Sequence, residues 1–156
     1  LYLKTTSELI YGLSFLKYFF TENSYIDYIV LISSVLMSLI FLIMIKNISS
    51  IEVKLSLFCL IILIFSPHRI YDYILLLPLL TYSIHNFEKN YLYKINTFFI
   101  CYLFFGLRLI KELGVDIDME PGDNSLVSVL INSSNIVIFL FLFITNYSFQ
   151  KKINIQ

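Results

Sequence analysis

Long apolar runs separated by short polar stretches set the pattern of this chain. Tyr28 to Ile45, YIVLISSVLMSLIFLIMI, carries no charge and approaches the roughly 20 apolar residues needed to cross about 30 Å of hydrocarbon. Ile51 to Ser66 is shorter and holds Lys54 near its start, where a long side chain can snorkel to an interface. Pro67 to Phe87 forms a third run, Tyr91 to Ile110 a fourth with Lys94 and Arg108 near its ends, and Leu126 to Tyr147 a fifth. The pattern predicts an all-α, polytopic integral membrane protein with about five transmembrane helices.

Between the runs the sequence changes character. Glu8 to Phe20, ELIYGLSFLKYFF, reads either as an interfacial amphipathic helix or as a clipped spanning segment. The stretch KELGVDIDMEPGDNS before Leu126 reads as an aqueous loop, with Glu120-Pro121-Gly122-Asp123 suited to a type II turn. Proline presets the first central position of that turn and glycine permits positive φ at the second. The acidic set Asp116, Asp118, Glu120 and Asp123 lacks the residue order of a calcium loop and reads as solvated. The chain opens on Leu1, without the basic, apolar and small-residue series of a signal peptide, and reads as the C-terminal part of something longer.

Composition agrees with the membrane reading. Hydrophobic residues make up 58% of the chain and charged residues 14%, against about 25% charged in soluble domains, and mean hydropathy is +0.82. The net charge of zero leaves no basic field to recruit nucleic acid. Cys59 and Cys101 sit in separate apolar runs without ligand spacing and read as small buried hydrophobes. No metal site or cofactor is expected. If the loop after Ile45 faces the cytoplasm, Lys46, Lys54, Lys89, Lys94, Lys151 and Lys152 lie inside, against Lys4, Lys17, Arg69, Arg108 and Lys111 outside. That weak excess, anchored by QKK near the C-terminus, turns Ser66 to Tyr73 outward.

The chemistry-bearing stretch is SPHRIYDYILLLP, Ser66 to Pro78. Serine caps free backbone N–H groups at a helix start and proline at the first helical position loses nothing, so a helix is expected to begin here. His68 and Asp72 then stand at i and i+4, with Arg69 three residues before Asp72. Ionisable groups at a membrane edge tend to face a cavity or a partner. A helix N-terminus, Arg69 and His68 together suit an anionic headgroup. Spacing alone favours an interfacial turn in which Arg69 pairs with Asp72 and His68 meets water. Pro78 is expected to free the carbonyl of Ile74 and kink the helix. His85, Asn86 and Glu88 read as an interfacial cap, and INSSN, Ile131 to Asn135, as a polar patch bonding to a neighbouring helix.

SPHRIYDYILLLP resembles the S-P-H-x-x-Y-D-x-x-L-L-L-P motif of glycosyltransferase family 87, the polyprenol-phosphate-sugar-dependent enzymes with the GT-C membrane fold. The matching positions are Ser66, Pro67, His68, Tyr71, Asp72, Leu75, Leu76, Leu77 and Pro78. Ser7 to Phe19 is similar to the family's external N/Q-S-x-x-G-x-x-x-R segment, with Gly12 aligned and Lys17 in the basic place, while the polar dipeptide departs from it.

The resemblance implies that residues 1–156 form the C-terminal part of a membrane-embedded hexosyltransferase domain in a bacterial plasma membrane. It would transfer a hexose or pentose, such as mannose, from a polyprenyl-phosphate donor to an envelope glycan or glycolipid. Substrate binding would fall to His68, Arg69, Tyr71 and Asp72. The family's catalytic aspartate matches no position here, Asp27 and Asp72 included, and the isolated piece is expected to be inactive. Two rival expectations are a transporter or flippase of lipid-linked glycans, which calls for ionisable residues at mid-membrane, and a non-catalytic membrane subunit.

Overall fold

The structure, a computed structural model, describes residues 24–65, 70–106, 109, 112–113 and 126–153. Their regular elements are all helical, as the apolar pattern predicts. In chain order they form α1 (Ser24–Ile45), α2 (Ile51–Phe65), a 3-10 helix (Ile70–Leu76), α3 (Leu77–His85), α4 (Tyr91–Cys101), a π-helical turn (Tyr102–Gly106) and α5 (Leu126–Ile153).

Local chemistry fixes several of these boundaries. Ser50 starts α2, its Oγ accepting from Val53 N at 3.4 Å, and Glu52 sits in the first turn, where the positive helix end favours a carboxylate. Asn90 caps α4, its side chain accepting from Leu92 N at 2.9 Å. Lys54 Nζ donates to the carbonyl of Lys46 at 3.1 Å. The side chain expected to snorkel therefore also ties the start of α2 to the end of α1.

α2 is the central element and packs on α1, α3, α5 and the 3-10 helix. Its second half buries Cys59, Leu60, Ile61, Leu63, Ile64 and Phe65, while Ile51, Leu55 and Phe58 leave one stripe exposed, so most of this apolar helix is covered by its neighbours. Phe41 of α1 meets Phe65 edge-on at 5.2 Å and Phe143 of α5 at 4.5 Å between ring centroids.

The outer helices bury several polar side chains within an apolar core and expose large apolar ones. In α5 the buried stripe includes Asn135, Asn146 and Gln150 beside Phe139, Leu142 and Phe143, while Val137 is 63% and Ile144 55% exposed. In α4 Asn96 is buried and Phe98 is 68% exposed. α3 buries Ser83 and exposes Ile84. Amides inside and large apolar side chains outside are what helices surrounded by hydrocarbon present. Among the described residues one helical stretch, Ser133–Lys152, is long and apolar enough to cross a membrane.

The topology also sorts the charges. Lys46 follows α1, Lys54 lies in the first turn of α2, Lys94 in the first turn of α4, and Lys151 and Lys152 in the last turn of α5. The tyrosine and glutamine side chains that link α3, α4 and α5 lie at this same end, so these lysines and Lys89 share one pole of the bundle. The start of α1, the 3-10 helix and the start of α5 lie toward the other pole.

Candidate functional site

Of the chemistry-bearing stretch, Ser66, Pro67, His68 and Arg69 lie outside the described residues, and so does the expected pairing of His68 or Arg69 with Asp72. Tyr71 falls within the 3-10 helix. The expected single α-helix from Pro67 to Phe87 is replaced by the 3-10 helix followed by α3. A 3-10 helix has about three residues per turn, so side chains three apart eclipse. Tyr73 and Leu76 form the inward row, continued by Leu79 at the start of α3, and all three are buried. Asp72, Leu75 and Pro78 form a half-buried row, and Ile74 with Leu77 an exposed one. Asp72 thus lies in a 3-10 rather than an α-helical turn, and the i, i+4 relation expected between His68 and Asp72 falls outside the described residues. Asp72 stands on the flank of a tighter helix whose neighbouring residue, Tyr73, points inward.

Pro78 likewise corrects an expectation. It occupies the first turn of α3, with Leu76 as N-cap, where a missing N–H costs no helical bond. Pro78 starts the α-helix rather than kinking one.

Tyr73 is 1% exposed and its ring meets Phe139 of α5 edge-on at 5.7 Å. Four residues before Phe139, one turn toward the pole that carries the 3-10 helix, stands Asn135. It is 0% exposed, and neither its Nδ2 nor its Oδ1 has a hydrogen-bond partner. A buried amide left unpaired costs about 1–3 kcal/mol. The sequence pattern predicts that INSSN bonds to a neighbouring helix. Instead, Ser134 Oγ donates to Ile131 O of its own helix at 2.7 Å, and Asn135 bonds to nothing.

The polar residues that do join helices lie nearer the lysine pole and were not singled out by the sequence pattern. Asn96 Nδ2 donates to Asn146 Oδ1 at 2.9 Å and to Ser83 Oγ at 3.4 Å. Gln150 Nε2 donates to Tyr82 Oη at 3.3 Å, and the hydroxyls of Tyr82 and Tyr93 lie 3.5 Å apart. An asparagine within a mostly apolar helix, as Asn96 and Asn146 both are, is the signal that marks such contacts. Of His85, Asn86 and Glu88, expected as a cap at the end of α3, Asn86 is shown in that role. Asn86 is its C-cap, Asn86 Nδ2 donating to Tyr82 O at 2.8 Å and Lys89 Nζ to Asn86 Oδ1 at 2.9 Å.

A groove of about 480 Å³ between α2 and α3 is lined by Glu52, Leu55, Pro78, Thr81, Tyr82 and His85. Glu52 and His85 in its lining are both exposed. Among the described residues no three His, Cys, Asp or Glu side chains gather as a metal centre requires. The bundle thus has two polar regions of different kinds. Near the lysine pole the amides satisfy one another, and one turn along α5 from Phe139 a buried amide keeps its donors and acceptor unused.

No family model, no curated protein and no solved structure matches the chain.

Proposed function

We propose that this chain is part of a multi-pass, membrane-embedded glycosyltransferase that uses a polyprenyl-phosphate sugar, and that Ser66 to Pro78 forms the donor-phosphate end of its site. The observation that carries the proposal is the nine-position agreement of SPHRIYDYILLLP with the S-P-H-x-x-Y-D-x-x-L-L-L-P pattern. The membrane setting draws support from the buried amides and exposed apolar side chains of α3, α4 and α5.

Helix type bears on the number of crossings. The seven residues of the 3-10 helix and nine of α3 rise about 2.0 and 1.5 Å each, so together they extend about 27 Å. That is close to the hydrocarbon thickness of about 30 Å. The same residues wound wholly as α-helix would fall several ångströms shorter. In this reading the chain crosses five times, with the lysine pole in the cytoplasm and the Asp72 pole at the outer face of a bacterial plasma membrane.

The chemistry follows from the donor. An acceptor hydroxyl attacks the anomeric carbon, the new C–O bond forms as the bond to the phosphate oxygen breaks, and the hydroxyl proton passes to a carboxylate base. That base matches no position in this chain. Phosphate leaves readily without protonation, unlike the alkoxide of a glycoside, so cationic stabilisation suffices on this side. Arg69 and His68 supply it, and Tyr71 and Asp72 shape the same end of the cavity. The acceptor is an envelope glycan or glycolipid.

The test is transfer of radiolabelled sugar from membrane polyprenyl phosphate into envelope glycan, by cells expressing the intact protein or its His68→Ala variant at matched levels. Loss of transfer in the variant supports the donor-phosphate assignment. Undiminished transfer removes His68 from the site.

A further inference from the structure

We infer that Asn135 is the contact through which this protein reads the neutral hydroxyls of a sugar substrate, an inference that rests on the glycosyltransferase reading above. Three observations lead to it. Asn135 is fully buried and both polar atoms of its amide are unpartnered. Elsewhere in the bundle a buried amide is supplied with a partner from another helix, as Asn96 is by Asn146 and Gln150 by Tyr82. Finally, Asn135 lies one turn along α5 from Phe139, whose ring rests on Tyr73, the residue next to Asp72.

The chemistry of the unused atoms defines the ligand. An amide offers two donors and one acceptor side by side. A phosphate at neutral pH has oxygen acceptors to give and would leave Oδ1 unmatched. A cation would leave Nδ2 unmatched. A pair of neighbouring sugar hydroxyls, each both donor and acceptor, matches the two atoms together. Asn135 therefore complements the carbohydrate, while the cationic residues His68 and Arg69 are assigned to the phosphate. The hydroxyls belong either to the donor sugar or to the acceptor glycan. Because the amide is closed over by its neighbours, binding displaces the side chains that cover it.

The experiment compares wild-type protein, Asn135→Leu and Asn135→Ala with Ser134→Ala as control, all in the intact enzyme in native membranes, and varies donor and acceptor concentrations separately. Asn135→Leu keeps a branched side chain without donor or acceptor. We expect it to accumulate normally, to unfold in detergent at a temperature no lower than wild type, and to lose transfer at least tenfold through a raised apparent KM. A raised KM for the donor assigns the hydroxyls to the donor sugar, and a raised KM for the acceptor assigns them to the acceptor glycan. Ser134→Ala should transfer normally, since its hydroxyl bonds within its own helix. Unchanged KM for both substrates in Asn135→Leu and Asn135→Ala overturns the inference, as does a loss of transfer matched by a loss of folded protein in both. A wild-type protein that transfers no sugar overturns the glycosyltransferase reading itself, and that outcome is distinct because it appears before any variant is compared.

Discussion

Asn96 and Asn146 exchange hydrogen bonds in both directions, Asn96 Nδ2 donating to Asn146 Oδ1 at 2.9 Å and Asn146 Nδ2 returning a bond to Asn96 Oδ1 at 3.3 Å. The two residues are 50 positions apart and join α4 to α5. Removing either one leaves a buried oxygen without its donor. Asn146 would still hold Leu142 O at 2.7 Å, whereas Asn96 would keep only Ser83 Oγ at 3.4 Å. Asn146→Leu should therefore destabilise the bundle more than Asn96→Leu, each by about 1 kcal/mol, in the range found for hydrogen bonds between helices in bilayers. The double variant should cost less than the sum, because no orphaned amide remains. Unfolding in mixed micelles measures all three, and strict additivity would refute the pairing.

The five crossings proposed above, with the lysine pole in the cytoplasm, make a prediction about sidedness. Single cysteines replacing Lys46, Lys89 and Lys152, placed in a background without Cys59 and Cys101, should react with a membrane-impermeant maleimide only after the cytoplasmic side is opened. A cysteine replacing Asp72 should react from the outside of intact cells. Labelling of Lys46→Cys and Lys89→Cys from opposite sides would break the topology between α1 and α3.

The π-helical turn contains a close approach. A Cβ at Gly106 would stand 2.7 Å from Cδ2 and 2.9 Å from Cε2 of the Tyr102 ring, so the ring must shift to admit even a methyl group. Gly106→Ala should cost about 1–3 kcal/mol, the range for overpacking. In a Tyr102→Ala background the same change should cost much less. Thermal unfolding of the four proteins in detergent checks this, and an equal cost in both backgrounds would place the clash elsewhere.

Helix starts were more legible than helix types. Ile51, Tyr91 and Leu126 begin helices where the pattern predicts, because Ser50 and Asn90 are local caps and apolar runs announce themselves. The run Ile70 to Leu80 hid its winding. With almost every side chain apolar, α-helical spacing looks as good as the period of three that places Tyr73, Leu76 and Leu79 inward. The fourth helix was expected to continue to Ile110, but it passes into a π-helical turn at Tyr102, where the Tyr102 ring lies over Gly106. In the candidate site Asp72 was legible as chemistry and Asn135 as part of a polar patch. Their surroundings were not, since what covers or partners an amide depends on packing between helices far apart in sequence.

The three inward amides of α5 bear on how the protein is made. The stretch long and apolar enough to cross a membrane, Ser133 to Lys152, has a mean hydropathy of 1.2, low for a helix that would partition into lipid alone, because Asn135, Asn146 and Gln150 are part of it. Synthesis runs from the N-terminus, so Tyr82, Ser83 and Asn96 have left the ribosome before Asn146 and Gln150 follow. In the proposed membrane setting, α5 can thus enter the bilayer against neighbours that already hold hydrogen-bond partners for two of its amides. Its integration is in part a docking event, and chain order during biogenesis supplies what hydropathy alone does not.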